Sequence, residues 1–142
     1  MGASGSIQTN SKLIYVSFDK TCSYKIKSIC FSKLREYDYT ITNNYNLQDD
    51  SYCETFKKNL IESSNYILIF ISKDTLQSCD QAYDIDVSFK NNKNVIYLIT
   101  DYDFMPQQNS GIKSFIGESK WLPCYDSTSV NDSFENIISM LQ

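Results

Sequence analysis

The 142-residue chain has no histidine and only four glycines and two prolines. The missing imidazole removes Ser-His-Asp and Cys-His nucleophile chemistry, and every metal site built on histidine, because each needs that ring as base or ligand. The glycines are Gly2, Gly5, Gly111 and Gly117. They form no glycine-rich phosphate cradle of the P-loop or dinucleotide-binding kind, so a nucleotide would have to be held by another route. No apolar run approaches the roughly 20 residues that a membrane helix requires. The N-terminus lacks the apolar centre of a secretory signal.

Cysteine is present but unhelpful. Cys22, Cys30, Cys53, Cys79 and Cys124 are odd in number and never two residues apart. That spacing speaks against a disulfide framework and against zinc knuckles, and free thiols in a reducing cytoplasm are the expectation. A net charge of −4 speaks against a nucleic-acid partner, which selects a basic face. Length and a 42% hydrophobic content fit one soluble domain with one core.

Residues 1–11 read as a flexible tail and 12–142 as the domain. The tail, MGASGSIQTN and one further serine, fits the M-G-x-x-x-[ST] pattern for N-myristoylation at Gly2, with Ser6 in the last place. It also has the composition of an artificial linker. Membrane contact is expected only if Gly2 is acylated, and one such chain binds marginally without a basic patch.

Beyond the tail, apolar runs alternate with amphipathic stretches. LIYVSF (13–18), YILIFIS (66–72) and VIYLIT (95–100) are short and rich in β-formers, which predicts buried strands. YILIFIS shows no alternation, so both of its faces should be covered. DYTIT (38–42) predicts a weaker strand and residues 120–122 a short edge strand.

Helices fall between them. Residues 22–36 place Ile26, Ile29, Cys30 and Leu34 at helical spacing. Ser51 and Glu54 form an S-x-x-E capping box for a helix that carries Phe56, Leu60 and Ile61 inward to about residue 63. Ser78 and Gln81 repeat that form for a third helix. Residues 101–119 predict a long irregular connection with one short helix in it. Asp132 to Glu135 predict the cap of a last helix with Phe134, Ile137, Ile138 and Leu141 inward. The order β-α-β-α-β-α-β-loop-β-α predicts an α/β, flavodoxin-like, five-stranded parallel sheet, order 2-1-3-4-5, with helices on both faces.

Such sheets bind ligands outside the carboxyl ends of their strands. That rim draws on residues 18–23, the loop 43–51 and residues 72–80. Phe18 or Tyr45 can stack on a ring or simply pack. Ser72 can bind a phosphate or ribose or merely end its strand. Asp19, Asn44 and Cys79 stand beside them, Asn44 as a turn residue first. The stretch QSCDQAYDID (77–86) adds Asp80, Asp84 and Asp86. Asp80 and Asp84 share a helix face, whereas Asp86 lies roughly 200° round from Asp84, so these last two cannot serve one site. No loop with calcium-ligand spacing accompanies them, so no metal is expected. Asp80 suits a helix start, where the dipole favours an acid.

Several stretches together resemble Toll/interleukin-1 receptor (TIR) domains over about residues 12–142. KLIYVSF (12–18) resembles their first motif. Residues 56–72, FKKNLIESSNYILIFIS, resemble their helix and strand ending in Ser. NNKNVIYLI (91–99) and Lys120-Trp121 resemble later motifs. The resemblance implies homotypic self-association with other TIR domains, as a homo-oligomer on activation, in innate-immune or cell-death signalling. The interaction loop it implies is Asn46, Leu47, Gln48, Asp49, Asp50 and Ser51.

The segment from Asn91 onward is most similar to the NAD-cleaving branch of the family. There a Glu on the third helix breaks the nicotinamide–ribose bond, and counting back from Asn94 puts that Glu on Asp84. The alternative reading is therefore an NAD+ glycohydrolase or cyclase with Asp84 catalytic and NAD+ as substrate, requiring no cofactor. Asp80 stands where relatives often carry a Trp, and the 47–51 loop lacks their Gly. A receiver-like protein of the same fold would need an acidic pair after the first strand and an Asp ending the third. Here a lone Asp19 and Ser72 occupy those places.

Overall fold

The computed structural model describes residues 10–43 and 53–141. The tail, the candidate ligand residues Asn44 and Tyr45, and the interaction loop Asn46 to Ser51 lie outside them, apart from the tail's last two positions.

Five strands form one parallel sheet: β1 (Asn10–Ser17), β2 (Thr40–Asn43), β3 (Ser64–Ile71), β4 (Asn94–Ile99) and β5 (Lys120–Pro123). Their order is β2-β1-β3-β4-β5, the doubly wound flavodoxin-like arrangement. Helices α1 (Tyr24–Glu36), α2 (Cys53–Ser63), α3 (Cys79–Lys90), α4 (Ser110–Ile116) and α5 (Ser127–Leu141) cover it. No helix among the described residues is long and apolar enough to cross a membrane.

β3 shows why its sequence does not alternate. Leu68 and Phe70 point into the layer packed by Cys30 and Leu34 of α1 and Phe134 and Ile137 of α5. Ile67, Ile69 and Ile71 point into the opposite layer, with Ile61 of α2, Val87 of α3 and Ile112 of α4. A central strand with helices on both sides must be apolar at every position.

Helix ends account for the missing glycine. The residue just past a helix often takes a left-handed conformation, normally supplied by glycine. Here Asp38 (φ 65°) and Asn92 (φ 55°) supply it after α1 and α3. The Tyr39 N–H then reaches Leu34 O, and the Lys93 N–H reaches Ser88 O. Asp and Asn tolerate this conformation better than other side-chain-bearing residues. Among the described residues, Gly117, after α4, is the one glycine with a positive φ, at 60°.

Three local expectations need correction. Phe56 does not face inward: it is 50% exposed, while Lys57 beside it is buried. From the wholly buried Ile61, one turn back along the helix is residue 57, and its ammonium has partners inside. The last helix begins at Ser127, not near Asp132, because Asp126 caps it by accepting the Ser129 N–H at 2.7 Å. Gln81 does not turn back to close a capping box. The Ser78 hydroxyl oxygen accepts the Gln81 N–H, but the Gln81 side chain points into the sheet. The 101–119 connection holds one short helix, α4, as expected, with a 3-10 turn at Tyr102–Phe104 ahead of it.

Candidate functional site

α3 turns Gln81, Asp84, Val87 and Ser88 inward, a helical repeat of one buried stripe. Three of its members, Gln81, Asp84 and Ser88, are polar and wholly buried, so each must find a partner. The Ser88 hydroxyl donates to Asp84 O within the helix, and the other two meet the sheet. Tyr15 and Ser17, two apart on β1, project from the same side of the strand. The Tyr15 hydroxyl donates to Asp84 Oδ1 at 3.1 Å and the Ser17 hydroxyl to Asp84 Oδ2 at 2.7 Å. Lys57, from α2, brings Nζ to 3.8 Å from Asp84 Oδ1 and 3.5 Å from Asp80 Oδ1. Nζ also lies 5.9 Å from the centroid of the Tyr83 ring.

Three elements thus meet on one carboxylate with no exposed surface. Burial pushes the Asp84 carboxyl up to about 6, against the downward pull of Lys57, Ser17 and Tyr15; Asp80 adds a smaller upward push. One ammonium answers two carboxylates, so the cluster carries one surplus negative charge. Asp80 is 62% exposed and water screens it, while the Lys57 side chain is only 3% exposed.

Gln81 lies one turn nearer the rim. Its amide nitrogen donates to Phe70 O at 2.8 Å and Ser17 O at 3.3 Å. It ties the carboxyl ends of β1 and β3 together where the winding direction reverses. Its Oε1 and the hydroxyl of Ser72 are buried without a hydrogen-bond partner.

The remaining candidates do not join Asp84. Phe18 is buried in the α1–α5 layer, with its ring 6.4 Å from that of Phe31 and the Lys27 ammonium 4.0 Å above it. Asp19 accepts from the Thr21 N–H and hydroxyl within its own turn. Cys79 is exposed at the first position of α3. Asp86 faces outward and pairs with Lys90 at 3.0 Å, as its angle from Asp84 requires. Among the described residues, no three His, Cys, Asp or Glu side chains stand together to hold a metal ion.

A separate cleft of about 400 Å³ opens at the carboxyl-end rim on the α1–α5 side. It is lined by Ser23, Lys25, Thr100, Tyr125, Asp126 and Thr128, among others. Hydrogen bonds from the Ser129 backbone and hydroxyl hold the Asp126 carboxyl below its ordinary value.

Tyr15, Ser17, Lys57 and Gln81 are the residues that sequence reasoning passes over. The available signal is faint: a polar Ser17 closing an apolar strand, and Lys57 four before Ile61 on an otherwise apolar stripe. Compared with protein-family models and with curated proteins, the chain matches none.

Proposed function

We propose that this protein is a TIR-like signalling module that acts by self-association. The motif resemblance over residues 12–142 supports the family, and the state of Asp84 carries the choice of activity. A carboxylate that stabilises a reacting sugar must touch it. Asp84 has no exposed surface, and both of its oxygens are engaged by Tyr15, Ser17 and Lys57. In this state it pins α3 to β1 and to α2. The surface is then what the protein has to work with. It leaves Tyr24, Phe56, Leu76 and Phe89 about half exposed or more, apolar groups that a second copy can cover.

Sedimentation velocity over a wide concentration range tests this reading. A sedimentation coefficient that rises with concentration supports it. A monomer at every concentration contradicts it.

One observation favours a second reading, an NAD+ nucleosidase active only on assembly. Above about pH 6 the buried Asp84 is ionised, which lowers stability, and carboxylates kept under that penalty concentrate in functional sites. In this reading assembly draws α3 from β1. The freed carboxylate then faces the ribose as the nicotinamide bond breaks through an oxocarbenium-like state. An Asp is one methylene shorter than a Glu, and a misplacement of about 1 Å costs on the order of a hundredfold in rate.

A further inference from the structure

The polar cluster beneath the rim has a charge imbalance, one ammonium between two carboxylates, that neither functional reading uses. Its charged and titratable members come from every element that packs on Asp84: Tyr15 from β1, Lys57 from α2, and Asp80 from α3 itself. Among the described residues, the other polar side chain bonded to the carboxylate is Ser17. Lys57 Nζ lies slightly closer to the exposed Asp80 than to the buried Asp84. With both acids ionised the group holds one charge too many, and the excess sits on the member that water cannot reach. Adding a proton to Asp84 leaves Lys57 paired with Asp80 as a balanced couple. The protonated oxygen then becomes a donor, and the hydroxyl of Tyr15 or Ser17 can turn to accept it.

We propose that the Asp84–Lys57–Asp80 cluster is a proton-linked latch: it takes up one proton in mildly acidic solution, docks α3 more firmly on β1 and α2, and loosens that seam towards neutral pH. The inference rests on the cluster alone, independent of self-association or NAD+ cleavage. Burial already holds the Asp84 carboxyl up at about 6. Opening α3 to water would return it to the ordinary 3.8, so the closed form binds the proton and the open form releases it. Linkage then makes α3 opening about tenfold rarer at pH 5 than at pH 8.

The direct test is amide hydrogen exchange along α3, corrected for the intrinsic pH dependence of exchange. The latch predicts that about tenfold change in wild-type protein and no corresponding change in Asp84→Asn. A flat wild-type profile, or an unchanged profile in Asp84→Asn, overturns it. Should that variant fail to fold, a carbon-13 titration of the Asp84 carboxyl in the wild-type protein decides the matter. A midpoint near 6 supports the latch, and one at or below the ordinary aspartate value overturns it.

Discussion

Lys57 and Asp84 meet 3.8 Å apart in the interior, from helices α2 and α3, with the carboxylate wholly buried and the lysine side chain 3% exposed. A buried pair of this kind adds little net stability over an apolar pair, but losing one partner strands the other. Lys57→Met should therefore destabilise the fold by on the order of 3 kcal/mol at pH 8. The loss should shrink at pH 5, where Asp84 takes up a proton. Urea denaturation at the two pH values measures both.

The pH dependence has an unusual sign for a carboxylate. Asp84 is raised in the folded protein, from 3.8 to about 6. Its stabilising contribution is thus fully present below 3.8 and is lost as pH rises through about 6. The size is about 3 kcal/mol. Other carboxylates add their own slopes, so the observable is the difference between wild type and Asp84→Asn. That difference should change by this amount between pH 3.5 and pH 8, in the direction that favours the variant at high pH.

Ser17 gives the shorter of the two hydroxyl bonds to Asp84. Ser17→Ala removes a donor to a charged group and should cost about 1.5–3 kcal/mol at pH 8. It should also move the Asp84 midpoint upward, since that bond favours the ionised form. Ser17→Thr keeps the hydroxyl and should leave the midpoint nearer its wild-type place. Carboxyl carbon-13 titration reads the shift.

The register of α2 separates two neighbouring apolar positions. Phe56 is half exposed and Ile61 wholly buried. Phe56→Gln should change stability by less than about 0.5 kcal/mol, whereas Ile61→Ala should cost about 2–5 kcal/mol. A large loss at Phe56 would return that helix to the orientation its sequence suggests.

These residues mark where the sequence is legible and where it is not. The sheet order can be read because YILIFIS and VIYLIT are unbroken apolar runs, and only a strand covered on both faces needs that composition. The face of α2 cannot. A lysine between phenylalanine and a second lysine reads as solvent-facing until its buried partner is known, and that partner is 27 residues away. The start of α5 hides for a related reason. Asp126 and Ser129 cap it through polar residues that look like loop, and the apolar stripe becomes dense only at Phe134. Asp84 is legible as a residue of interest, through the TIR resemblance and its place under the rim. Its burial is not, because that depends on Tyr15 and Ser17, which look like ordinary strand residues.

Asn92 offers a check on the glycine-poor helix ends. Its φ of 55° suits glycine better than any β-branched side chain. Asn92→Gly should be neutral or mildly stabilising, and Asn92→Val should cost about 1–2 kcal/mol, as thermal unfolding will register.

The central claim is that Asp84 serves the fold from a sealed position while the protein works through association. Incubation of NAD+ with protein concentrated enough to associate, followed for nicotinamide release, tests it most directly. The account predicts no release by wild type beyond that of Asp84→Ala. Release that Asp84→Ala abolishes and Asp84→Glu enhances would contradict it, and would make the carboxylate a catalytic group that assembly uncovers.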